Sequence, residues 1–66
     1  MRLLLNGEER DLAGVSNVAD LVASLGLDAR KVAVEHNLEI VPRSIYAATA
    51  LAEGDRIEIV TFIGGG

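Results

Sequence analysis

The chain has 66 residues with no cysteine and a single histidine, so it forms at most one domain and lacks the residues for a disulfide or a cysteine–histidine metal site. Half of its residues are hydrophobic and only Tyr46 and Phe62 are aromatic, so we expect a core of Leu, Ile, Val and Ala. A net charge of −4 and scattered basic residues argue against nucleic-acid binding, which needs clustered Lys and Arg.

The N-terminal segment predicts a β-hairpin. Residues 1–5 form a strand whose odd-numbered side chains share one face. Asn6-Gly7 is typical of a two-residue hairpin turn, because both residues accept positive φ. Residues 8–12 then form a charged return strand suited to a sheet edge. The apolar run in residues 1–5 is too short for a signal peptide or a membrane span, so we expect a cytoplasmic protein that does not contact a membrane.

One short helix follows the hairpin. Apolar residues recur at i, i+3, i+4 and i+7 from Val18, which is the spacing of one helix face. Ser16 or Asn17 is the expected N-cap, and Asn17 is favoured because it places Asp20 in the first turn, where a carboxylate stabilises the helix dipole. Gly26 is expected to end the helix, with Leu27 folding back over the last turn. A helix this short is marginal alone, so it must pack on a sheet.

The middle of the chain predicts two further strands. Residues 31–36 are rich in valine and bounded by polar side chains, which favours a strand, and Asn37 marks a turn. Residues 39–41 form a short strand that Pro42 confines to a sheet edge, because proline has no amide donor. Residues 43–50 are a connection that contains one helical turn.

Residues 56–62 form the most strongly patterned strand, with Ile57 and Ile59 on one face and Glu58 and Val60 on the other. A hairpin, a helix, two short strands and this last strand predict that the helix crosses one sheet face. The first and last strands are then expected to pair in parallel in the middle of the sheet. We therefore expect an α+β, ubiquitin-like β-grasp fold, with a mixed four- to five-stranded sheet and one helix packed on one face.

Three glycines end the chain. We divide the sequence into a β-grasp domain at 1–63 and a flexible tail at 64–66. Because glycine has no Cβ, Gly64 and Gly65 are suited to threading a narrow partner active site, and the carboxylate of Gly66 is the candidate reacting group. The alternative interpretation is that the glycines are only a frayed, solvated chain end.

A second candidate site lies on the outward face of the last strand. If the first and last strands pair, Leu4, Val60 and Phe62 should lie together. An exposed apolar patch usually marks a surface where a partner docks. The alternative is that the connection at 43–50 covers Phe62, which would then belong to the core.

No set of side chains supports catalysis by the chain itself. His36 is the single histidine, so neither a metal site nor a serine-based triad has its companion residues. We expect His36 to be solvated at a strand end. We also expect no catalytic residue, no metal ligand and no cofactor bound by this chain.

Five segments, in order along nearly the whole chain, carry a more specific pattern. They are Leu5-Asn6-Gly7-Glu8, Val32-Ala33-Val34-Glu35, Glu39-Ile40-Val41-Pro42-Arg43, Leu51-Ala52-Glu53-Gly54-Asp55-Arg56-Ile57-Glu58-Ile59-Val60 and Gly64-Gly65-Gly66. Together they resemble the sulfur carrier proteins of thiamine biosynthesis, the ThiS-type proteins with a ubiquitin-like fold. One departure is Leu38, where relatives often have glycine; a two-residue type I′ turn would strain this residue.

The resemblance implies a protein co-substrate, a sulfur carrier, rather than an enzyme. A ubiquitin-activating-type adenylyltransferase would use ATP and Mg²⁺ to adenylate the carboxylate of Gly66. Sulfur from a cysteine desulfurase system would then displace AMP and leave a thiocarboxylate. Thiazole synthase would take that sulfur into the thiazole ring of thiamine.

Two other functions remain open at this point. One is a carrier like the small subunit of molybdopterin synthase, which also ends in a Gly-Gly thiocarboxylate. The other is a ubiquitin-like interaction module without any tail chemistry. The short length, Pro42-Arg43 and the segment 54–60 favour the thiamine carrier.

Overall fold

The computed structural model describes residues 1–62. The predicted tail residues Gly64, Gly65 and Gly66 lie outside the described residues, as does the predicted boundary after residue 63. Residues 1–62 contain six regular elements: β1 (Arg2–Leu5), β2 (Glu8–Asp11), α1 (Val18–Ser24), β3 (Val32–His36), β4 (Glu39–Val41) and β5 (Arg56–Thr61). Two 3₁₀ segments, Ala29–Lys31 and Arg43–Ala48, connect them.

The strands form one mixed sheet in the order β2-β1-β5-β3-β4. The pair β1–β5 is parallel, and the pairs β1–β2, β3–β4 and β3–β5 are antiparallel. The predicted β-grasp arrangement is therefore confirmed, with five strands and with the first and last strands paired in the middle. Within residues 1–62, no helix is long and apolar enough to span a membrane.

The first hairpin turns as the sequence predicts, with Asn6 at φ 50° and Gly7 at φ 82°. The side chain of Asn6 also reaches the last strand. Its Oδ1 accepts a hydrogen bond from the Ile59 amide at 2.8 Å, and its Nδ2 donates to the Ile59 carbonyl at 3.3 Å. One residue therefore supports the turn through its positive φ and ties β1 to β5 through its side chain.

Local hydrogen bonds fix both ends of α1 as predicted. Asn17 Oδ1 accepts from the Asp20 amide at 2.8 Å, which satisfies a free donor of the first turn. At the other end, Gly26 has φ 72° and donates to the Ala23 carbonyl, while Leu27 donates to the Val22 carbonyl at 3.1 Å. This bond pair is a Schellman motif, in which a left-handed residue closes the helix.

The core lies between α1 and one face of the sheet. Leu3 and Ile57 from the sheet and Val18 and Leu21 from the helix are all completely buried. The expectation of a purely aliphatic core is wrong in one respect, because Tyr46 from the second 3₁₀ segment is also buried, at 4% exposure. The 3₁₀ segment that carries it packs against α1.

The strand β3 begins one residue later than predicted, because a 3₁₀ turn precedes it. Asp28 caps this turn by accepting from the Arg30 amide at 2.9 Å, and its carboxylate also pairs with the Arg30 guanidinium. These side-chain and backbone hydrogen bonds from Arg30 lower the pKa of Asp28 to about 2. Lys31 thereby joins the turn rather than the strand.

The turn between β3 and β4 carries backbone strain. It has two residues, Asn37 at φ 51° and Leu38 at φ 72°, and it joins the paired residues His36 and Glu39. Asn tolerates the left-handed region, whereas the Cβ of Leu38 approaches a backbone carbonyl oxygen there. The type I′ geometry that would strain Leu38 is therefore the one the chain adopts.

Replacing Leu38 by glycine should stabilise the chain. The side chain is 68% exposed, so little packing is lost, and glycine adopts positive φ without a Cβ clash. We expect the free energy of unfolding to rise by about 1 kcal/mol and the thermal midpoint by about 5 °C. Urea and thermal unfolding followed by circular dichroism measure both. The control is Leu38→Ala, which keeps the Cβ; equal stabilisation by both variants would show that strain is not the cause.

Candidate functional site

The sheet face opposite α1, called here the outer face, has no helix or loop packed on it within the described residues. Three large apolar side chains are exposed on or beside it: Ile40 at 69%, Val60 at 63% and Phe62 at 58%. An exposed Phe62 excludes the alternative in which the connection at 43–50 covers it. These side chains make the outer face the candidate interaction surface.

The strand pairing places Ala33 beside the exposed side chains of β5 and leaves Ile40 on the edge strand, two strands from β5. Val60 lies directly opposite Ala33 in the β3–β5 pair, and the Phe62 amide continues that ladder by donating to the Lys31 carbonyl at 2.8 Å. Ile40 lies on β4, beyond β3. We define the outer apolar patch as Ala33, Ile40, Val60 and Phe62. It adjoins the point where the chain leaves β5 towards residues 63–66.

Leu4 does not lie in this patch, so the predicted grouping of Leu4, Val60 and Phe62 is wrong. Leu4 is opposite Arg56 in the parallel β1–β5 pair. Val60 is further along β5 by about 13 Å, at about 3.3 Å per residue. Leu4 instead borders a shallow depression of about 240 Å³ that Gly7, Arg56 and Glu58 also line. The alternation of residues correctly predicts that Leu4 and Val60 face the same side of the sheet. Only the pairing register between β1 and β5 determines where each residue lies along its strand.

Ile40 was not singled out from the sequence as a site residue. The segment 39–41 was recognised as a strand, and the alternation with buried Val41 places Ile40 on the opposite face. A large β-branched residue at an outward-facing position of an edge strand can be recognised in the sequence as a candidate for a surface contact. Its position beside the patch becomes visible only when β4 is placed next to β3.

His36 differs from its predicted state as a solvated strand-end histidine. Its side chain is only 21% exposed, and Nε2 lies 2.6 Å from Asp55 Oδ2. The same carboxylate accepts from the Ala52 amide at 2.9 Å and from Asn37 Nδ2 at 3.2 Å. Asn37 Oδ1 in turn accepts from the Arg56 amide. These residues tie the β3–β4 hairpin to the turn before β5.

This cluster has no nucleophile. Within residues 1–62, neither His36 nor Asp55 hydrogen-bonds to a serine or threonine hydroxyl. A histidine–carboxylate pair performs nucleophilic catalysis only when such a group is in reach. We conclude that the cluster is a structural link at the end of the sheet away from Phe62.

The protonation of Asp55 is set by this link. Burial disfavours its charged form, but hydrogen bonds from His36, the Ala52 amide and Asn37 outweigh that effect and lower the pKa of Asp55 below its ordinary value. The folded chain therefore favours the ionised carboxylate. Its contribution to stability is present above the unfolded pKa of 3.8 and is lost as the pH falls through the lower pKa of the folded state.

A groove of about 290 Å³ lies between α1 and the second 3₁₀ segment. Its walls are mostly alanine, valine and leucine, with Arg43 as the one charged residue. Ser44 and Tyr46 also line it, but no histidine or carboxylate does. The groove therefore offers no acid–base pair for a reaction.

Comparison with known proteins points to one family. The ThiS family model matches residues 3–66. The chain is 40% identical over 65 residues to the sulfur carrier protein ThiS of Bacillus subtilis, covering 97% of this chain and 98% of that protein. It is also 58% and 44% identical over 66 residues to thiazole synthases of Paramagnetospirillum magneticum and Magnetococcus marinus. It spans 20% of the length of each of these two relatives.

Solved structures agree with the sequence comparison. The crystal structure of the thiamine biosynthesis protein ThiS from Geobacter metallireducens superposes with a TM-score of 0.83 at 36% identity, over the whole of both chains. A solution structure of a thiamine biosynthesis protein from the same organism gives a TM-score of 0.82 and is covered over 88% of its length.

Replacing Asp55 by asparagine should remove a pH-dependent part of the stability. The variant keeps the shape of the side chain but not the charge that the three donors stabilise. We expect it to be less stable than the parent by about 1 kcal/mol near neutral pH. That difference should shrink as the pH falls from about 5 to about 2. Urea unfolding at several pH values measures it; a difference that is the same at every pH would contradict this account.

Proposed function

The chain belongs to the ThiS family, and we propose that it is a sulfur carrier of thiamine biosynthesis that works as a protein co-substrate rather than as an enzyme. The observation that carries the proposal is the match to the sulfur carrier protein of Bacillus subtilis, which extends over 98% of that protein and is not confined to a shared fold. The family match and the two ThiS relatives favour this carrier over a molybdopterin-type carrier or a plain interaction module.

The proposed reaction begins at the carboxylate of Gly66. A carboxylate is ionised near neutral pH, with an ordinary pKa of about 3.5, and is a poor electrophile. In the proposed first step, a carboxylate oxygen attacks the α-phosphorus of ATP and pyrophosphate leaves. The product is an acyl-adenylate. ATP and Mg²⁺ belong to a ubiquitin-activating-type adenylyltransferase, and this ATP use is our reason to propose the cytoplasm as the compartment.

Sulfur then replaces the adenylate. The terminal sulfur of a persulfide, supplied by a cysteine desulfurase system, attacks the acyl carbon of Gly66 and AMP leaves. A thiol reduces the sulfur–sulfur bond of the resulting acyl disulfide and releases the thiocarboxylate. In this scheme the chain contributes no acid or base. It also contributes no thiol that could compete for the sulfur, because it has no cysteine.

Gly64 and Gly65 are proposed to let the tail enter the partner active sites. Without a Cβ, their backbone can approach a nucleotide closely. The strand β5 provides a fixed starting point, because it is hydrogen-bonded to β1 and β3 on its two sides. A rigid strand followed by residues without side chains suits a carrier whose C-terminus must enter more than one active site.

Thiazole synthase is the proposed acceptor of the sulfur. The relatives named thiazole synthase contain a region like this chain within a much longer protein. Joining a carrier to its acceptor raises the effective concentration of one for the other. That arrangement supports the proposal that this chain also delivers sulfur to a thiazole synthase. The carrier and the synthase would be two regions of one polypeptide or two separate proteins.

The outer apolar patch is the proposed docking surface for these partners, with Val60 and Phe62 closest to the tail. Large exposed apolar side chains are typical of a surface that a partner covers. Leu4 was predicted to share this role, but its position beside Arg56 leads us to leave it out of the docking proposal.

Removing Gly66 should abolish adenylation and leave the fold unchanged. The truncated chain keeps every residue from 1 to 62 but presents its carboxylate one residue short of the reactive position. The measurement is ATP–pyrophosphate exchange with the adenylyltransferase of the same genome, with circular dichroism to check the fold. Substantial exchange with the truncated chain would contradict the proposal.

A further check is the intact mass of chain isolated from its own cells, where sulfur carriage shows as one oxygen replaced by sulfur.

Replacing Val60 by aspartate should weaken binding to the adenylyltransferase without unfolding the chain. The side chain is 63% exposed, so the charge remains solvated in the free protein but is buried unpaired in the complex. We expect the dissociation constant to rise on the order of tenfold. The control is Ile45→Asp, which makes the same change at an exposed residue of the second 3₁₀ segment. Equal losses from both variants, or a melted spectrum for Val60→Asp, would contradict docking at this patch.

A further inference from the structure

The outer face contains two neighbouring carboxylates, Glu35 and Glu58. They are direct cross-strand partners in the β3–β5 pair, which places their Cβ atoms about 5 Å apart. Like charges in this position destabilise a sheet. Neither takes part in the three ion pairs formed within residues 1–62. The two carboxylates therefore have no ion-pair partner among these residues, and the nearest basic residue on the same face of β5 is Arg56, two positions before Glu58.

The two carboxylates border the outer apolar patch. Ile40 lies directly opposite Glu35 in the β3–β4 pair, and Val60 is the next residue after Glu58 on the same face of β5. Ala33 is the next residue before Glu35 on that face of β3. A partner that covers the patch must therefore cover the carboxylates as well. Burying carboxylates without a cation is strongly unfavourable, so the covering surface must supply one.

We propose that the partner docked on the outer apolar patch places a cationic side chain, best matched by arginine, against Glu35 and Glu58. The inference rests on the proposed function and names the chemistry of the partner surface. A guanidinium has five donors in a planar fork and can bond two carboxylates at once, whereas an ammonium acts as a point charge. The apolar patch gives contact area, and the carboxylate pair sets the orientation of the partner above it.

The charge pattern disfavours a second copy of this chain as the occupant. A twofold dimer through the outer face would use the same surface on both subunits. It would bring two Glu35–Glu58 pairs into one interface. The net charge of −4 adds to the repulsion between the two subunits. A partner with a basic, partly apolar surface remains the occupant that matches the face.

The test compares two double variants with the same change in net charge. Glu35→Gln/Glu58→Gln removes the proposed contact, and Glu8→Gln/Glu9→Gln alters β2, which is separated from β5 by β1. Steady-state adenylation by the adenylyltransferase of the same genome is measured against carrier concentration at several salt concentrations. We expect the first variant to raise KM about tenfold with kcat unchanged and to flatten the salt dependence of KM. The second variant should stay within about twofold of the parent chain.

Each other outcome has a defined meaning. If the parent chain is not adenylated, the proposed function and this inference both fail. If the parent is adenylated and the two double variants have the same KM, this inference alone fails. The urea midpoint of Glu35→Gln/Glu58→Gln should not fall, because a repulsion is removed. A clear fall would refute the premise that the two carboxylates repel each other in the free chain. Sedimentation equilibrium showing a dimer that this variant strengthens would assign the face to self-association and overturn the inference.

Discussion

The structure depends on the pairing of the last strand with strands on both of its sides. β5 is parallel to β1 and antiparallel to β3 at the centre of the sheet, and Ile57 within it is completely buried. Parallel strands cannot be joined by a tight turn and need a long crossover. Here α1 lies within that crossover and covers one sheet face. The other face is left open as a direct result.

Asn6 shows how local and distant requirements meet in one residue. Its positive φ suits the hairpin turn, where asparagine tolerates the left-handed region. Its side-chain amide also bonds to both backbone groups of Ile59, beyond the point where β1 itself turns away. The amide thus extends the β1–β5 ladder by one rung. A turn residue near the start of the sequence thereby helps to hold the strand that precedes the tail.

The features that the sequence predicts well are those that neighbouring residues decide. The Asn17 cap and the Gly26 close of α1 each involve contacts over a few residues, and both are as expected. The position of Leu4 depends on the register between strands far apart in sequence, which alternation alone does not fix. The His36–Asp55 contact spans 19 residues and likewise requires the folded sheet. The strain at Leu38 was foreseeable only as a consequence of one turn type, and the structure adopts that type.

The distribution of residues on the two sheet faces separates stability from recognition. The buried face of the sheet is built from aliphatic side chains, and a ThiS protein with 36% identity has the same fold at a TM-score of 0.83. A fold that tolerates this much substitution cannot by itself specify a partner. In the proposed reaction the reacting group is a main-chain carboxylate, so no catalytic side chain distinguishes one carrier from another either. Selectivity must then come from exposed residues close to the tail. Under the proposed function, the outer apolar patch and the Glu35–Glu58 pair beside it would fill that role, because they combine contact area with a charge that only a complementary surface can cover.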